Sequence, residues 1–314
     1  MADGPGRSCP LDYQYGARSL AAPATLQVDT LWIAGGLYGN PEALARLLDL
    51  YESENGDKAL VFNGDFHWFD VACEDFLHVN RVVLAHRATR GNVETELALP
   101  GPDAGCGCGY PAWVGDAEVA RSNAIMERLR ASVADELETL RALAALPMNL
   151  VAEVGAERVA VVHGDADSLA GWSFSQESLA TGAGVAAARA ALAAAEARII
   201  ASSHTCLPVL QSVGEGRAVV NNGAAGMPNF SGTRFGVATR ISVRRRAGAL
   251  FGLRVGAVEI EAQPIPYDHA AWRERFLAGW PEGSAAYASY FARIVNGPGY
   301  TPAAALRADL PAAA

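Results

Sequence analysis

The sequence predicts an α/β fold. Short apolar runs alternate with helical segments over much of the chain, and several of those runs stop at Gly–Asp, Gly–Asn or a histidine. In folds built this way ligands gather at the carboxyl ends of the strands. Composition agrees. The chain has 314 residues, 51% hydrophobic and 19% charged, against roughly 45–50% apolar and about 25% charged in average soluble domains. Such a chain buries a large core and is not disordered. Its length suggests two domains or one large α/β unit.

The elements follow in order. Residues 1–25 read as an irregular N-terminal segment. LQVDTLWIA (26–34) is a β-rich run that ends in the loop GGLYGN (35–40), and Pro41 suits the first turn of the helix that follows. ALVFNGD (59–65) is a second strand ending at Gly64–Asp65. A helix over 70–79 leads to a third run, RVVLAHRATRGN. Residues 99–116, rich in Gly and Pro, read as an insertion loop. Residues 117–146 form one long helix or two, ERVAVVHGD (157–165) is a strand, 184–197 an Ala-rich helix, and RIIASSHTC (198–206) another strand with a polar end. From 217 the pattern turns to strands: RAVVNNGAAGMPNF, FGVATRISVR and LFGLRVGAVEIEAQPI. This gives a domain over 26–265 and a helical C-terminal extension over 266–314, with the last residues frayed.

Charge and cysteine usage narrow the function. With 25 basic and 34 acidic residues the net charge is −9, which argues against general nucleic-acid binding and against anionic membranes. A small phosphorylated substrate remains open, because a metal ion or local dipoles can supply the positive field. Five cysteines make no disulfide framework, so the expected compartment is a reducing cytoplasm. The N-terminus has no apolar leader region and no stretch reads as a membrane span. The oligomeric state is not readable.

The chemistry lies at the strand ends. Asp65, Asn92, His163 and His204 each follow an apolar run. A carboxylate, an amide oxygen and two imidazoles form a borderline-hard donor set that suits Mn, Fe or Zn. A lone Gly–Asp is more often a turn and a lone histidine more often a packed residue. The order of the blocks, with Asn221–Asn222–Gly223 after them, carries the argument.

These stretches resemble the calcineurin-like metallophosphoesterases. The five blocks of that family correspond to GLYGN (36–40), NGD (63–65), RGNVE (90–94), VVHGD (161–165) and SHTC (203–206). The resemblance implies a four-layer α/β/β/α sandwich of two mixed β-sheets flanked by helices. It implies one or two divalent or trivalent transition-metal ions (Mn, Fe or Zn) and a metal-dependent hydrolase acting on a phosphomonoester or phosphodiester. One metal half-site, Asp65, Asn92, His163 and His204, is intact by residue type. The other is altered: Gly36, Tyr38 and Cys206 stand where the family has an aspartate and two histidines. Tyr38 and Cys206 bind metal only as phenolate and thiolate, which need lowered pKa values. Val93 replaces the histidine that in many members assists the leaving group, and Glu94 keeps the adjacent acidic position.

His67 and Glu94 are the candidate catalytic groups, with His67 read equally as a packed loop residue. Asp70 reads as a helix N-cap. Arg90 and Arg121 are candidate phosphate contacts. Cys9, Cys106 and Cys108 are a possible thiolate or redox set, and His78, His86 and His269 read as structural or surface residues. The alternatives to hydrolysis are a non-catalytic, metal-binding member of the fold and a repurposed redox metalloenzyme using Tyr38 and Cys206.

Overall fold

The computed structural model describes residues 4–101 and 103–308. Two mixed sheets pack face to face. The seven-stranded sheet has the order β1 (Leu26–Val28), β5 (Asn149–Val154), β6 (Glu157–Val162), β7 (Ile199–Ser202), β9 (Arg217–Asn221), β8 (Val209–Gly214), β13 (Leu306–Arg307). The six-stranded sheet has the order β11 (Phe251–Val255), β12 (Val258–Ile265), β10 (Gly236–Ser242), β2 (Thr30–Ala34), β3 (Lys58–Asn63), β4 (Arg87–Thr89). Strands β2, β3 and β4 run parallel, as do β6, β7 and β9.

Side-chain alternation builds the layers. Leu31, Ile33 and Val61 point into the space between the sheets and meet Val159, Val161 and Ile199. Their neighbours Trp32, Leu60 and Phe62 point outward. There they are covered by α1 (Pro41–Glu52), α2 (Cys73–Val83), α4 (Asp116–Ser132), α5 (Leu137–Ala144), α7 (His269–Gly279) and α8 (Ala285–Asn296). On the other side Ala160, Val162 and Ile200 pack under α6 (Gly182–Ala194), whose Val185, Ala188 and Leu192 recur at helical spacing. The result is the four-layer α/β/β/α sandwich. Among the described residues no helix is long and apolar enough to cross a membrane.

Several elements differ from the sequence reading. The run 26–34 is two strands in different sheets: the chain crosses from one to the other at Asp29, so that Val28 and Leu31 both face the inter-sheet core. LFGLRVGAVEIEAQPI is a hairpin, turning at Gly256 with φ 55°. The segment 117–146 is two helices. β5 and β8, which the sequence reading does not pick out, each pair antiparallel with the strand that follows. Of the tail expected to fray, α9 (Pro302–Ala305) and β13 are ordered, with β13 pairing parallel to β8; residues 309–314 lie outside the described residues.

One buried charge network ties α1 to the outer sheet. Arg240 on β10, 1% exposed at its side chain, donates to Glu54 at 2.8 Å and to Glu261 at 2.7 Å. Burial pushes the Glu54 carboxyl up, but the Arg240 guanidinium outweighs it and holds the group below the ordinary carboxylate range. A depressed carboxylate contributes stability that is present above its unfolded pKa of about 4.3 and is lost as pH falls through the lower folded value. Arg240→Met strands two buried carboxylates and is expected to cost about 3–5 kcal/mol in urea denaturation at pH 7. This deficit narrows below about pH 4 as Glu54 protonates.

Candidate metal centre

The parallel strands of both sheets deliver their carboxyl ends to one edge. Asp65 follows β3, His163 follows β6, His204 follows β7, and Asn92 opens α3 (Asn92–Ala98) just after β4. The structure brings these four residues together. His163 Nε2 lies 3.2 Å from Asn92 Oδ1, 3.3 Å from Asp65 Oδ2 and 3.3 Å from His204 Nδ1. All four residues are buried. Among the described residues, Asp65, His163 and His204 are the one group of three His, Cys, Asp or Glu side chains whose donor atoms converge.

Each donor is aimed from behind. His163 Nδ1 donates to the Asn63 carbonyl at 2.8 Å, and His204 Nε2 donates to the Cys108 carbonyl at 2.9 Å. Their other ring nitrogens therefore face inward. Asn92 Nδ2 donates to the Cys106 carbonyl, which turns its Oδ1 inward. Asp65 Oδ1 accepts from the Val93 N–H, leaving Oδ2 for the centre. Three acceptors thus surround one imidazole nitrogen, and a single proton cannot satisfy them all. A cation can: donors bound at about 2.0–2.1 Å in tetrahedral array lie roughly 3.3 Å apart. The residues fit one metal ion, with outer partners of the kind that orient ligands.

Electrostatics point the same way. Burial pushes the His204 imidazole down, and His163 beside it adds to this, to about 4, so His204 is neutral near pH 7. Burial also lowers His163, but the Asp65 charge outweighs it and holds His163 above its ordinary value. Burial raises Asp65, and His163 more than reverses this.

Gly36, Tyr38 and Cys206 pack against one another beside the centre. Tyr38 has φ 56° and turns its ring back over Gly36, where a Cβ would lie 2.2 Å from the ring's Cζ. An aspartate does not fit at 36 while Tyr38 stands there. The Tyr38 hydroxyl and Cys206 Sγ are 2.7 Å apart. Burial pushes the phenol well above its ordinary pKa and raises the thiol, so both are held protonated. Asp65 and Cys206 also have positive φ, 53° and 65°. Three non-glycine residues in the left-handed region, at about 1–3 kcal/mol each, place backbone strain at this site.

The two candidate catalytic groups lie off the centre. His67 is fully buried, its Nδ1 2.6 Å from Asp70 Oδ2 and its ring stacked on Phe76 at 3.8 Å. Glu94 is fully buried, with Oε2 accepting from the Asp65 and Gly91 N–H groups at 2.8 Å and Oε1 from the His67 N–H. It fixes the backbone that carries Asp65 and Asn92. Asp70 is not an N-cap; Ala72 precedes α2, and Asp70 binds His67 and Trp68. Arg90 holds the carbonyls of Ala144 and Leu146, and Arg121 holds Ser289. Cys9 contacts Ser168 and Gln14 and forms no donor cluster with Cys106 and Cys108. His86 packs against Tyr51 and Phe62, and His269 binds the Ile294 carbonyl.

The sequence reading missed four contributors. Asn63 donates to the Val162 carbonyl and to Ser203, bridging the sheets beneath the site. The loop Gly105–Cys106–Gly107–Cys108–Gly109 acts through its carbonyls, its three glycines holding φ of 61°, 67° and 57°. From α8, Tyr290 lines the small cavity of about 60 Å³ above the centre, and Arg293 donates to the Cys206 carbonyl. The alternating glycines were the available signal for the loop. Tyr290 and Arg293 carried none.

No protein-family model and no curated protein matches the chain. Among solved structures it is similar to a hypothetical protein from Pyrococcus horikoshii OT3, with TM-score 0.57 and 14% identity over 86% of this chain and 99% of that one. It is also similar to a metallophosphoesterase from Sphaerobacter thermophilus, with TM-score 0.54 and 17% identity over 86% of this chain and all of that one. The chain has the calcineurin-like metallophosphoesterase fold. In this fold the donor cluster sits where strands of both sheets end, which is where an α/β protein places its ligand.

Three outcomes test the centre. Mass spectrometry of the purified chain is expected to find one transition-metal ion per chain, lost in Asp65→Ala and His163→Ala. Gly36→Asp alone is expected to destabilise the protein without adding a second ion, whereas Gly36→Asp with Tyr38→His and Cys206→His restores two. Asn63→Ala is expected to weaken metal binding by about 10–100-fold, because it releases the Val162 carbonyl and Ser203, the residues next to His163 and His204.

Proposed function

We propose that this chain is a metal-dependent phosphoesterase-like hydrolase, acting on a phosphomonoester or phosphodiester with one ion held by Asp65, Asn92, His163 and His204. The observation that carries the reading is the convergence of three acceptor atoms on His163 Nε2 at 3.2–3.3 Å. Manganese, iron or zinc suits this mixed nitrogen and oxygen set.

A bound ion supplies Lewis acidity toward a phosphoryl oxygen and lowers the pKa of water. The chain's own residues do the rest. Asp65, His163 and His204 are held rigid by the carbonyls and N–H groups behind them, so the donors need no rearrangement. Trp172, packed edge-on against His204 at 5.5 Å, and Trp68 in the cavity wall limit water around the centre. Five thiols, none paired, suit a reducing cytoplasm.

A second reading, a metal-binding member without turnover, is favoured by one observation: the Tyr38 ring lies over Gly36, the position where the resemblance expects an aspartate ligand. A redox role for Tyr38 and Cys206 has less support, since the two are hydrogen-bonded to each other at 2.7 Å. Hydrolysis of nitrophenyl phosphomonoesters and diesters decides between the readings. Metal-dependent turnover that falls at least a hundredfold in Asp65→Ala is expected; a fully loaded protein with no turnover on any ester leaves the second reading standing.

A further inference from the structure

The N-terminal segment, irregular in sequence, is bonded to the two loops that surround the metal centre. Gly6 donates its N–H to the Ala104 carbonyl and accepts the Tyr110 N–H, both at 2.9 Å, so it brackets the loop that carries Cys106 and Cys108. Further on, the segment crosses the loop that follows β6. The Tyr13 carbonyl takes the Leu169 N–H at 3.0 Å, and Tyr15 donates its N–H to the Asp167 carbonyl at 2.9 Å and its hydroxyl to the Asp165 carbonyl.

Tyr13 stands where these loops meet α3. It is 1% exposed, and its hydroxyl donates to Glu96 Oε1 at 2.6 Å. Glu96 lies one turn after Asn92 on the same face of α3, and its Oε2 accepts the Gly101 N–H at 3.1 Å. Gly107 is seated among the three. A Cβ there would collide with the Tyr13 hydroxyl oxygen and would lie 2.8 Å from Glu96 Cγ and 3.3 Å from Asn92 Cβ. The carbonyls on either side of Gly107 are the ones that aim the ligands: Cys106 takes Asn92 Nδ2 and Cys108 takes His204 Nε2, each at 2.9 Å. The Cys108 carbonyl also takes Trp172 Nε1 at 3.0 Å.

In a close-packed interior a displacement is passed on rather than absorbed. The Tyr13 hydroxyl is held by Glu96, so Gly107 cannot move toward it. A phenylalanine at 13 removes the oxygen beside Gly107 and leaves Glu96 Oε1 without its donor. Both changes loosen the loop that orients two of the four ligands, while all four ligands keep their identity.

We propose that Tyr13 is a positioning residue for the metal ion, acting through Glu96 and Gly107 on the carbonyls that hold Asn92 and His204, so that residues 6–15 are part of the metal centre. This rests on the ion that the hydrolase reading assigns to Asp65, Asn92, His163 and His204. The test titrates metal-stripped, full-length protein with cobalt(II), measuring affinity against a competing chelator and recording the visible spectrum, which reports ligand geometry. Tyr13→Phe is expected to bind cobalt about tenfold more weakly and to change the spectrum. Arg240→Met, which weakens the fold through a network without contact to the ligands, is expected to leave both unchanged. Gly107→Ala is expected to weaken binding as well. Its combination with Tyr13→Phe is expected to lose less than the sum of the two, because the second change removes the oxygen that the new Cβ would strike. Circular dichroism checks each fold. Parent affinity and spectrum in Tyr13→Phe overturn the proposal and leave the hydrolase reading intact, as does an equal loss in Arg240→Met or an additive loss in the double variant. The expected Tyr13→Phe loss in a protein that, fully loaded, hydrolyses no ester supports the proposal and overturns the hydrolase reading. Parent protein that takes up no cobalt overturns both.

Discussion

The geometry of the centre depends on Asn63. Its amide nitrogen holds the Val162 carbonyl of the facing sheet at 2.7 Å and Ser203 at 2.9 Å, its amide oxygen takes the Thr89 hydroxyl, and its own carbonyl receives His163 Nδ1–H. One buried side chain thus joins the ends of β3, β4, β6 and β7. Two sheets in apolar contact are free to slide, because the hydrophobic effect has no direction. Buried hydrogen bonds that must be made fix the register. Since Asp65 and His163 stand on opposite sheets, that register is also the separation of the ligands.

Around this staple the protein concentrates its strain and its buried polar groups. Tyr38, Asp65 and Cys206 adopt backbone conformations that only glycine takes freely, and Glu94 and the Cys106–Cys108 carbonyls hold the surrounding backbone and side chains in place. The apolar sandwich provides the stability that offsets this cost. Gly36, Tyr38 and Cys206 form a set of linked residues. Glycine at 36 makes room for the Tyr38 ring, and the ring then contacts Cys206. Each of these residues looks like a loss when taken alone; together they pack one another.

Much of the site was legible because its ligands end apolar runs. Asp65, Asn92, His163 and His204 each stand at a β-to-loop junction whose period is readable. The roles of His67 and Glu94 were not. A histidine two residues past a ligand points at the centre or away from it according to local backbone, and here Gly64 and Asp65, both at positive φ, send it into the Phe76 cluster. Glu94 follows a ligand in sequence, but the first turn of α3 places it under the backbone N–H groups of Gly91 and Asp65. The split of 26–34 at Asp29 was hidden for a related reason: nothing local distinguishes a bent strand from two strands in separate sheets.

The sequence by itself determined the α/β class, the order of the strand-end blocks and the identity of four donor residues, because periodicity and residue chemistry are local properties. The tertiary structure decided which of those residues meet, that the Tyr38 ring packs over Gly36, and that Tyr290 and Arg293 reach the site from a helix about 225 residues beyond Asp65. Those outcomes depend on sheet-to-sheet register and on how α8 packs against α4 and α7. Both are set by contacts between segments far apart in the chain, and no local pattern encodes them.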